Sequence, residues 1–317
     1  MQDQIIGNYK IIEIIGEGGM GKVFKGIDLM LEREVAIKSL RPEYARPDVV
    51  KRFYKEAKTL AMLNHPNIVT VYNFFQQGDD FFIVTEFVDG ETLDKMIARE
   101  KAIPWKRAVP LFCQALRGIG HAHSYGIIHR NIKPTNMIIT QSGLLKVMDF
   151  GITRVLGTAR LTRQGHLVGT AEYMSPEQIQ GRDVDARSDI YSLGIVLYEM
   201  LAGRAPFAGD SEFEILRAQV EEISRPVRQL APEVPPALEA VIAQALAKRP
   251  EQRLPTVDEF RERLENLLGG TWSEAARRQA EEEQARRQAE KPKPLRNKLA
   301  WGASLMAMLA VIKPHPL

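Results

Sequence analysis

Over the first 90 residues, short apolar runs alternate with Gly, Asp and Asn breaks. The runs Ile11–Ile15, Val23–Lys25, Val35–Leu40, Ile68–Phe75 and Phe81–Phe87 have the length and the β-branched and aromatic content of strands. One helix is predicted among them, about Asp48–Leu63, where Val49, Phe53, Ala57, Leu60 and Ala61 recur at helical spacing. From residue 91 the pattern lengthens. Helices are predicted at Ile103–Ser124, Ser188–Leu201, Glu212–Val220, Pro236–Ala247 and Val257–Leu268, with a Gly-, Thr- and Arg-rich stretch over about 150–175 between the first two. A strand-rich part followed by a helix-rich part predicts an α+β, bilobal fold, with lobes at 8–88 and 89–268.

The pattern changes again after Leu268, where Gly269-Gly270 punctuates the end of the globular part. Ala-Arg-Arg-Gln-Ala-Glu occurs at 276–281 and again at 285–290, a charged, helix-prone linker within 269–298. Residues 286–298 hold six Lys or Arg against one Glu, and the uncharged run Leu299–Ile312 follows. Those 14 residues fall short of the roughly 20 that a spanning helix needs. The basic flank nevertheless points to a membrane surface over 286–312, with the flank on the cytoplasmic side. The other readings of this tail are a truncated span and a docking helix.

Composition narrows the picture further. The chain has 317 residues, 44% hydrophobic and 26% charged, which excludes a mostly disordered chain and a polytopic membrane protein. A net charge of +3 gives no reason to expect a nucleic-acid partner. A single cysteine, Cys113, rules out an intramolecular disulfide and fits a reducing compartment. The first residues lack a basic stretch leading into a long apolar run, so no signal peptide is expected within this sequence.

The candidate chemistry begins at Gly16-Glu17-Gly18-Gly19-Met20-Gly21, set between two strand-like runs. Alone, such a glycine pattern could be a plain hairpin turn or a dinucleotide fingerprint. Val23-Phe24-Lys25 reads as strand where the dinucleotide version needs a helix. A glycine-rich hairpin can lay its backbone N–H groups close over phosphates because no side chain blocks approach. Lys38 closes the run Val35-Ala36-Ile37 and could simply snorkel to water. Glu56, on the predicted helix, could pair with it or stand as an exposed charge. Downstream come His129-Arg130-Asn131-Ile132-Lys133-Pro134-Thr135-Asn136, then Asp149-Phe150-Gly151, then Ser175-Pro176-Glu177.

In order and spacing these segments match the protein-kinase signature set. The chain resembles a eukaryotic-type Ser/Thr protein kinase over about residues 8–268. Phrases such as His65-Pro66-Asn67-Ile68-Val69 and Gly169-Thr170-Ala171-Glu172-Tyr173 are similar to the bacterial, membrane-linked branch. The resemblance implies a bilobal protein-kinase fold with ATP and Mg²⁺ (or Mn²⁺) in the cleft. It implies that residues 16–21 cover the phosphates and that Lys38, held by Glu56, contacts them. Asn136 and Asp149 would hold the metal, and Lys133 would neutralise the transferred phosphoryl group. Thr85 would be the gatekeeper, Glu86–Val88 the adenine-reading hinge, and Val23, Ala36 and Met137 the walls around the base. Asp189 would open a buried helix and brace the His129-Arg130 backbone, Glu177 would pair with Arg253, and Leu60, Val71, His129 and Phe150 would stack between the lobes. Protein substrates are implied, with self-association for phosphorylation of the segment 149–177. Thr162 would be its main regulatory site and Thr170 a structural contact. The kinase domain would be cytoplasmic, tethered to the inner membrane's cytoplasmic face through the tail.

One position departs from the family. The catalytic-loop Asp is replaced by Asn131, which can accept a hydrogen bond but cannot take a proton. Losing a positioned general base costs about 10²–10⁴ in rate. Two expectations follow: a Ser/Thr kinase impaired at its base, or an ATP-binding pseudokinase that acts by conformation. A small-molecule kinase of similar fold is a lesser third reading, against which the Ser175-Pro176-Glu177 segment argues.

Overall fold

The computed structural model describes residues 4–18, 21–40, 61–78, 80–150 and 171–269, all within one compact unit, Met1–Ala276. Residues 48–60 of the helix predicted at 48–63 and the tail 270–317 lie outside the described residues, while Ala61 and Met62 form a turn and Leu63 is non-regular chain, so the helix does not reach Leu63.

A six-stranded antiparallel sheet opens the chain: β1 (Ile5–Ile6), β2 (Tyr9–Gly18), β3 (Gly21–Asp28), β4 (Arg33–Leu40), β5 (Val71–Gln77) and β6 (Asp80–Glu86), in the order β1-β2-β3-β4-β6-β5. Alternation along β4 decides its two faces. Val35 and Ile37 are fully buried and join Tyr9, Ile11, Phe82 and Val84 in the small core. Ala36 and Lys38 therefore face the other way.

A second sheet of three short strands follows: β7 (Gly90–Thr92), β8 (Met137–Thr140) and β9 (Leu145–Val147). Around it lie α1 (Leu93–Glu100), α2 (Trp105–Ser124), α3 (Pro176–Ile179), α4 (Ala186–Ala202), α5 (Glu212–Glu221), α6 (Pro236–Ala245) and α7 (Val257–Leu267). The helix α4 is apolar nearly all round, as a helix through the centre of a lobe must be, and Ile190, Leu193, Ile195, Val196 and Leu197 are fully buried. Its Gly194 admits α6 closely: a Cβ there would meet that of Ala245 at 2.9 Å. Among the described residues no helix is long and apolar enough to cross a membrane.

Several predicted boundaries move. The strand expected from Ile68 starts at Val71, because the Ile68 amide is committed to a turn, donating to His65 O at 3.0 Å. The strand expected to reach Phe87 stops at Glu86. The helix expected from Ile103 starts at Trp105, because Pro104 has extended ψ at the cap and the Ile103 amide donates to Met200 O. Asp189 does not open α4. That helix starts at Ala186, with Asp185 capping it by accepting from the Arg187 amide. The helix expected to end at Ala247 stops at Ala245, where the Leu246 amide is shared between the Gln244 and Ile242 carbonyls.

Candidate active site

The β2–β3 hairpin carries Gly16, Glu17, Gly18 and Gly21, with Gly18 opposite Gly21 at its mouth. Gly19 and Met20 at the tip lie outside the described residues. Gly21 has φ +147°, and a Cβ there would sit 1.9 Å from Ser39 O, so only glycine fits. This close approach holds the hairpin down on β4, where the Lys22 amide also donates to Ser39 Oγ at 3.1 Å.

Residues directly opposite on neighbouring strands share a face. Val23 is opposite Lys38, and Ala36 is opposite Thr85. All four stand on the face of the sheet turned away from the small core. Glu86 ends β6, and Phe87 and Val88 follow it as non-regular chain, both half-buried. Met137 opens β8 in the second sheet and is fully buried.

Lys38 crosses from the large sheet to the other lobe, where its Nζ lies 3.0 Å from Asp149 Oδ2. Its expected partner Glu56 lies outside the described residues. Burial raises the cost of ionising Asp149, but the Lys38 charge and hydrogen bond, with the Lys133 charge adding to them, outweigh it and hold the carboxyl below its ordinary value. Asp149 adopts φ +60°, in the left-handed region that a non-glycine residue seldom occupies. Such strain gathers at functional sites.

Asn136 ends a short 3-10 turn, Pro134–Asn136, and is buried. Its Nδ2 donates to Asn131 O at 2.8 Å, which fixes the amide and leaves Oδ1 as the side chain's acceptor end. The Met148 amide donates to Asn136 O at 2.9 Å, so backbone ties Asn136 to the strand that delivers Asp149. One carboxylate and one amide oxygen are hard ligands, suited to Mg²⁺, which takes one or two protein groups and draws the rest from phosphate and water. The donor set fits that ion. Among the described residues no cluster of three or more His, Cys, Asp or Glu is arranged for a metal.

The catalytic loop is braced from below. Asp189 accepts from the His129 amide and the Arg130 amide, each at 2.8 Å, and from His123 Nε2 at 2.8 Å. Gln178 Nε2 grips the other side of the Arg130 peptide, donating to Arg130 O at 3.0 Å. Arg130 is thereby held at φ +63°. The His129 ring donates from Nε2 to Met148 O and accepts at Nδ1 from the Asn131 amide, which is the pattern of a neutral imidazole. Burial lowers its pKa in keeping with that. The His129 and Phe150 rings lie against each other with centroids 4.5 Å apart, tilted by 42° rather than stacked; Leu60, expected beside them, lies outside the described residues. Burial lowers the Lys133 ammonium from its ordinary value, with Lys38 adding to the effect and Asp149 opposing it.

Glu177 and Arg253 form a buried, two-pronged pair with contacts of 2.7 and 2.8 Å. The remaining guanidinium donors reach Ala247 O, Arg187 O and Lys248 O, so all five are used. Thr162 and Thr170 lie outside the described residues. Sequence reasoning missed Gln178 and Asn67, whose side chains hold backbone, and His123, whose ring bonds the Asp189 carboxylate; none of the three stands in a chemical motif.

A glycine-bearing hairpin, a lysine–carboxylate pair and a braced loop carrying Asn131, Lys133 and Asn136 form the arrangement expected of a protein kinase. Comparison with known proteins agrees. The protein kinase domain family matches residues 9–264, and the chain belongs to that family. It is 41% identical over 291 residues to the serine/threonine-protein kinase PknB of Mycolicibacterium smegmatis, covering 90% of this chain and 47% of that protein. It is 40% identical over 258 residues to the serine/threonine-protein kinase PrkC of Bacillus subtilis, covering 81% of this chain and 40% of that one. The chain thus spans less than half the length of these curated relatives. The Mycobacterium tuberculosis PknI kinase domain matches in fold, with a TM-score of 0.67 at 22% identity, over 84% of this chain and 98% of that one.

Proposed function

We propose that this chain is the kinase domain of a serine/threonine-protein kinase, transferring the terminal phosphoryl group of ATP to protein hydroxyls, with transfer held back at Asn131. The observation that carries the proposal is the Lys38–Asp149 pair beside an Asn136 whose amide is already committed to the loop. Mg²⁺ (or Mn²⁺), when bound, supplies charge neutralisation along the phosphates.

The chain's own groups have the following roles. The hairpin 16–21 lays backbone over the phosphates. Lys38 offers its ammonium to them, with Glu56 the proposed second carboxylate partner. Asn136 Oδ1 and the Asp149 carboxylate present oxygens to the metal. Thr85 and the Glu86–Val88 backbone, with Val23, Ala36 and Met137, enclose the base. Lys133 offers a cation to the transferred group. The Asn131 side-chain oxygen can orient a substrate hydroxyl by accepting its hydrogen bond, but the amide does not take up the proton.

Asn131 also favours a second reading, an ATP-binding pseudokinase that works by conformation. The two readings part on one substitution. Asn131→Asp restores a carboxylate in near-identical volume. The kinase reading expects phosphorylation of a generic Ser/Thr protein substrate to rise by about 10²–10⁴ over the unaltered chain. Equal, negligible turnover by both proteins, with Mg-ATP binding intact, would leave the pseudokinase. The names of the relatives support Ser/Thr specificity.

Thr162 is the proposed regulatory phosphorylation site and Thr170 the proposed structural contact, with self-association bringing one copy's loop to another. The segment 286–312, which begins within the linker 269–298, is the proposed contact with the cytoplasmic face of the inner membrane. Phosphopeptide mapping of the Asn131→Asp protein tests the first assignment, and vesicle flotation with and without 299–317 tests the last.

A further inference from the structure

One buried charge has no part in the site so far. Lys146 lies in the middle of β9, between the fully buried Leu145 and Val147, and its own side chain is 1% exposed. Taking an ammonium out of water is costly unless a well-placed partner offsets it. That partner is Glu86, whose Oε2 lies 3.1 Å from Lys146 Nζ. Glu86 ends β6 and begins the stretch whose backbone is assigned to adenine.

The pair closes a ring of bonds. The Glu86 amide donates to Thr70 O at 2.9 Å, and the Thr70 amide points back at Glu86 Oε2 at 3.4 Å. The same stretch of chain is laced to β9: the Val147 amide donates to Asn67 O and the Val69 amide to Val147 O, both at 2.9 Å. Asn67 Nδ2 adds a buried bond to Leu145 O at 2.8 Å. The Lys146–Glu86 contact is the side-chain link that completes the circuit from the hinge to β9. Asp149 follows Lys146 by three residues on the same run of chain. The hinge and the metal-binding carboxylate are therefore two ends of one bonded frame.

We infer that Lys146 is a positioning residue: by holding Glu86 against β9, it sets the distance between the adenine-reading backbone and Asp149. The inference rests on the nucleotide site proposed above. A ligand that reaches only the hinge is largely insensitive to that distance. A ligand that touches both ends, a nucleoside triphosphate with its divalent cation, depends on it. A pair with a merely structural role would weaken both ligands alike, through loss of folded protein.

The test uses the full chain with Lys146→Met. A second variant, Lys146→Met with Glu86→Gln, leaves no carboxylate buried without its cation and covers the case in which the first fails to fold. Adenosine and Mg-ATP are titrated separately into each variant and into the unaltered chain by calorimetry, with thermal melts alongside. The expected result is a loss of Mg-ATP affinity roughly tenfold larger than the loss of adenosine affinity, within the range over which contacting groups couple. Equal losses for the two ligands, or unchanged Mg-ATP affinity, overturn the inference while the nucleotide site stands. An unaltered chain that fails to bind Mg-ATP removes the site and the inference together.

Discussion

Replacing Asp189 by Asn tests how the catalytic loop is held. The carboxylate is 1% exposed and takes three hydrogen bonds of 2.8 Å, two from backbone amides and one from His123. Its Oδ2 receives the His129 amide and His123, and its Oδ1 receives the Arg130 amide. An Asn side chain has one oxygen. Placed at the Oδ2 position, it turns its NH₂ against the Arg130 N–H, donor facing donor. The lost bond to a charged acceptor is worth about 1.5–3 kcal/mol, and the stranded donor adds to that. Arg130 sits at φ +63°, a conformation that itself costs on the order of 1–3 kcal/mol and depends on this bond and on Gln178 to persist. A net loss of about 2–4 kcal/mol is expected, or a fall in Tm on the order of 4–16 °C for a domain of this size. Urea unfolding at neutral pH measures it as a lower midpoint at constant slope. A loss below about 0.5 kcal/mol would show that Asp189 is not what holds the His129-Arg130 backbone.

Arg253→Met removes a guanidinium with all five donors engaged and leaves Glu177 buried beside Ser188; a destabilisation of about 3–5 kcal/mol is expected by urea unfolding. Arg253→Lys, without the planar fork, should recover only a minor part. Glu199 gives a pH signature. Burial, reinforced by the charges of Glu172 and Asp94 and opposed by the Tyr173 hydrogen bond, lifts its carboxyl to about 7. The folded chain thus binds this proton more tightly than the unfolded chain does. The stability it contributes is present below the ordinary carboxylate range and is lost as pH rises towards about 7. Glu199→Gln, which does not titrate, should therefore gain on the unaltered chain across that window in thermal melts, and a gap that does not change with pH would contradict the assignment.

The alternation of β4 and the length of α2 and α4 were readable because each repeats its period for long enough to stand out from chance. Short elements were not. The helix α1 offers only Leu93, Met96 and Ile97 as an apolar face, and β7 and β9 are three residues each, too brief for a period to register. Their positions come from packing around α2 and the second sheet. Lys38, Asn131, Lys133, Asn136 and Asp149 could be singled out because they fall in spaced motifs, and the structure places Lys38 against Asp149 and the Asn136 amide against Asn131 O. The pairing of Glu177 with Arg253 and the bracing role of Asp189 were legible through the same resemblance. The bracing by Gln178, His123 and Asn67 was not, since each acts on a group far away in sequence, a backbone carbonyl for Gln178 and Asn67 and the Asp189 carboxylate for His123, and nothing local marks it. Nothing in the sequence marked Lys146; its burial and its contact with Glu86 set it apart.

On the proposed function, this chain holds a nucleotide together with a divalent cation between Lys38, Asn136 and Asp149. Calorimetric titration of ATP into the folded, unaltered chain, with and without Mg²⁺, tests this most directly. Saturable binding is expected, strengthening when Mg²⁺ is present and losing that Mg²⁺ dependence in Asp149→Ala. Absence of binding heat from well-folded protein, or binding that is indifferent to Mg²⁺, would contradict it.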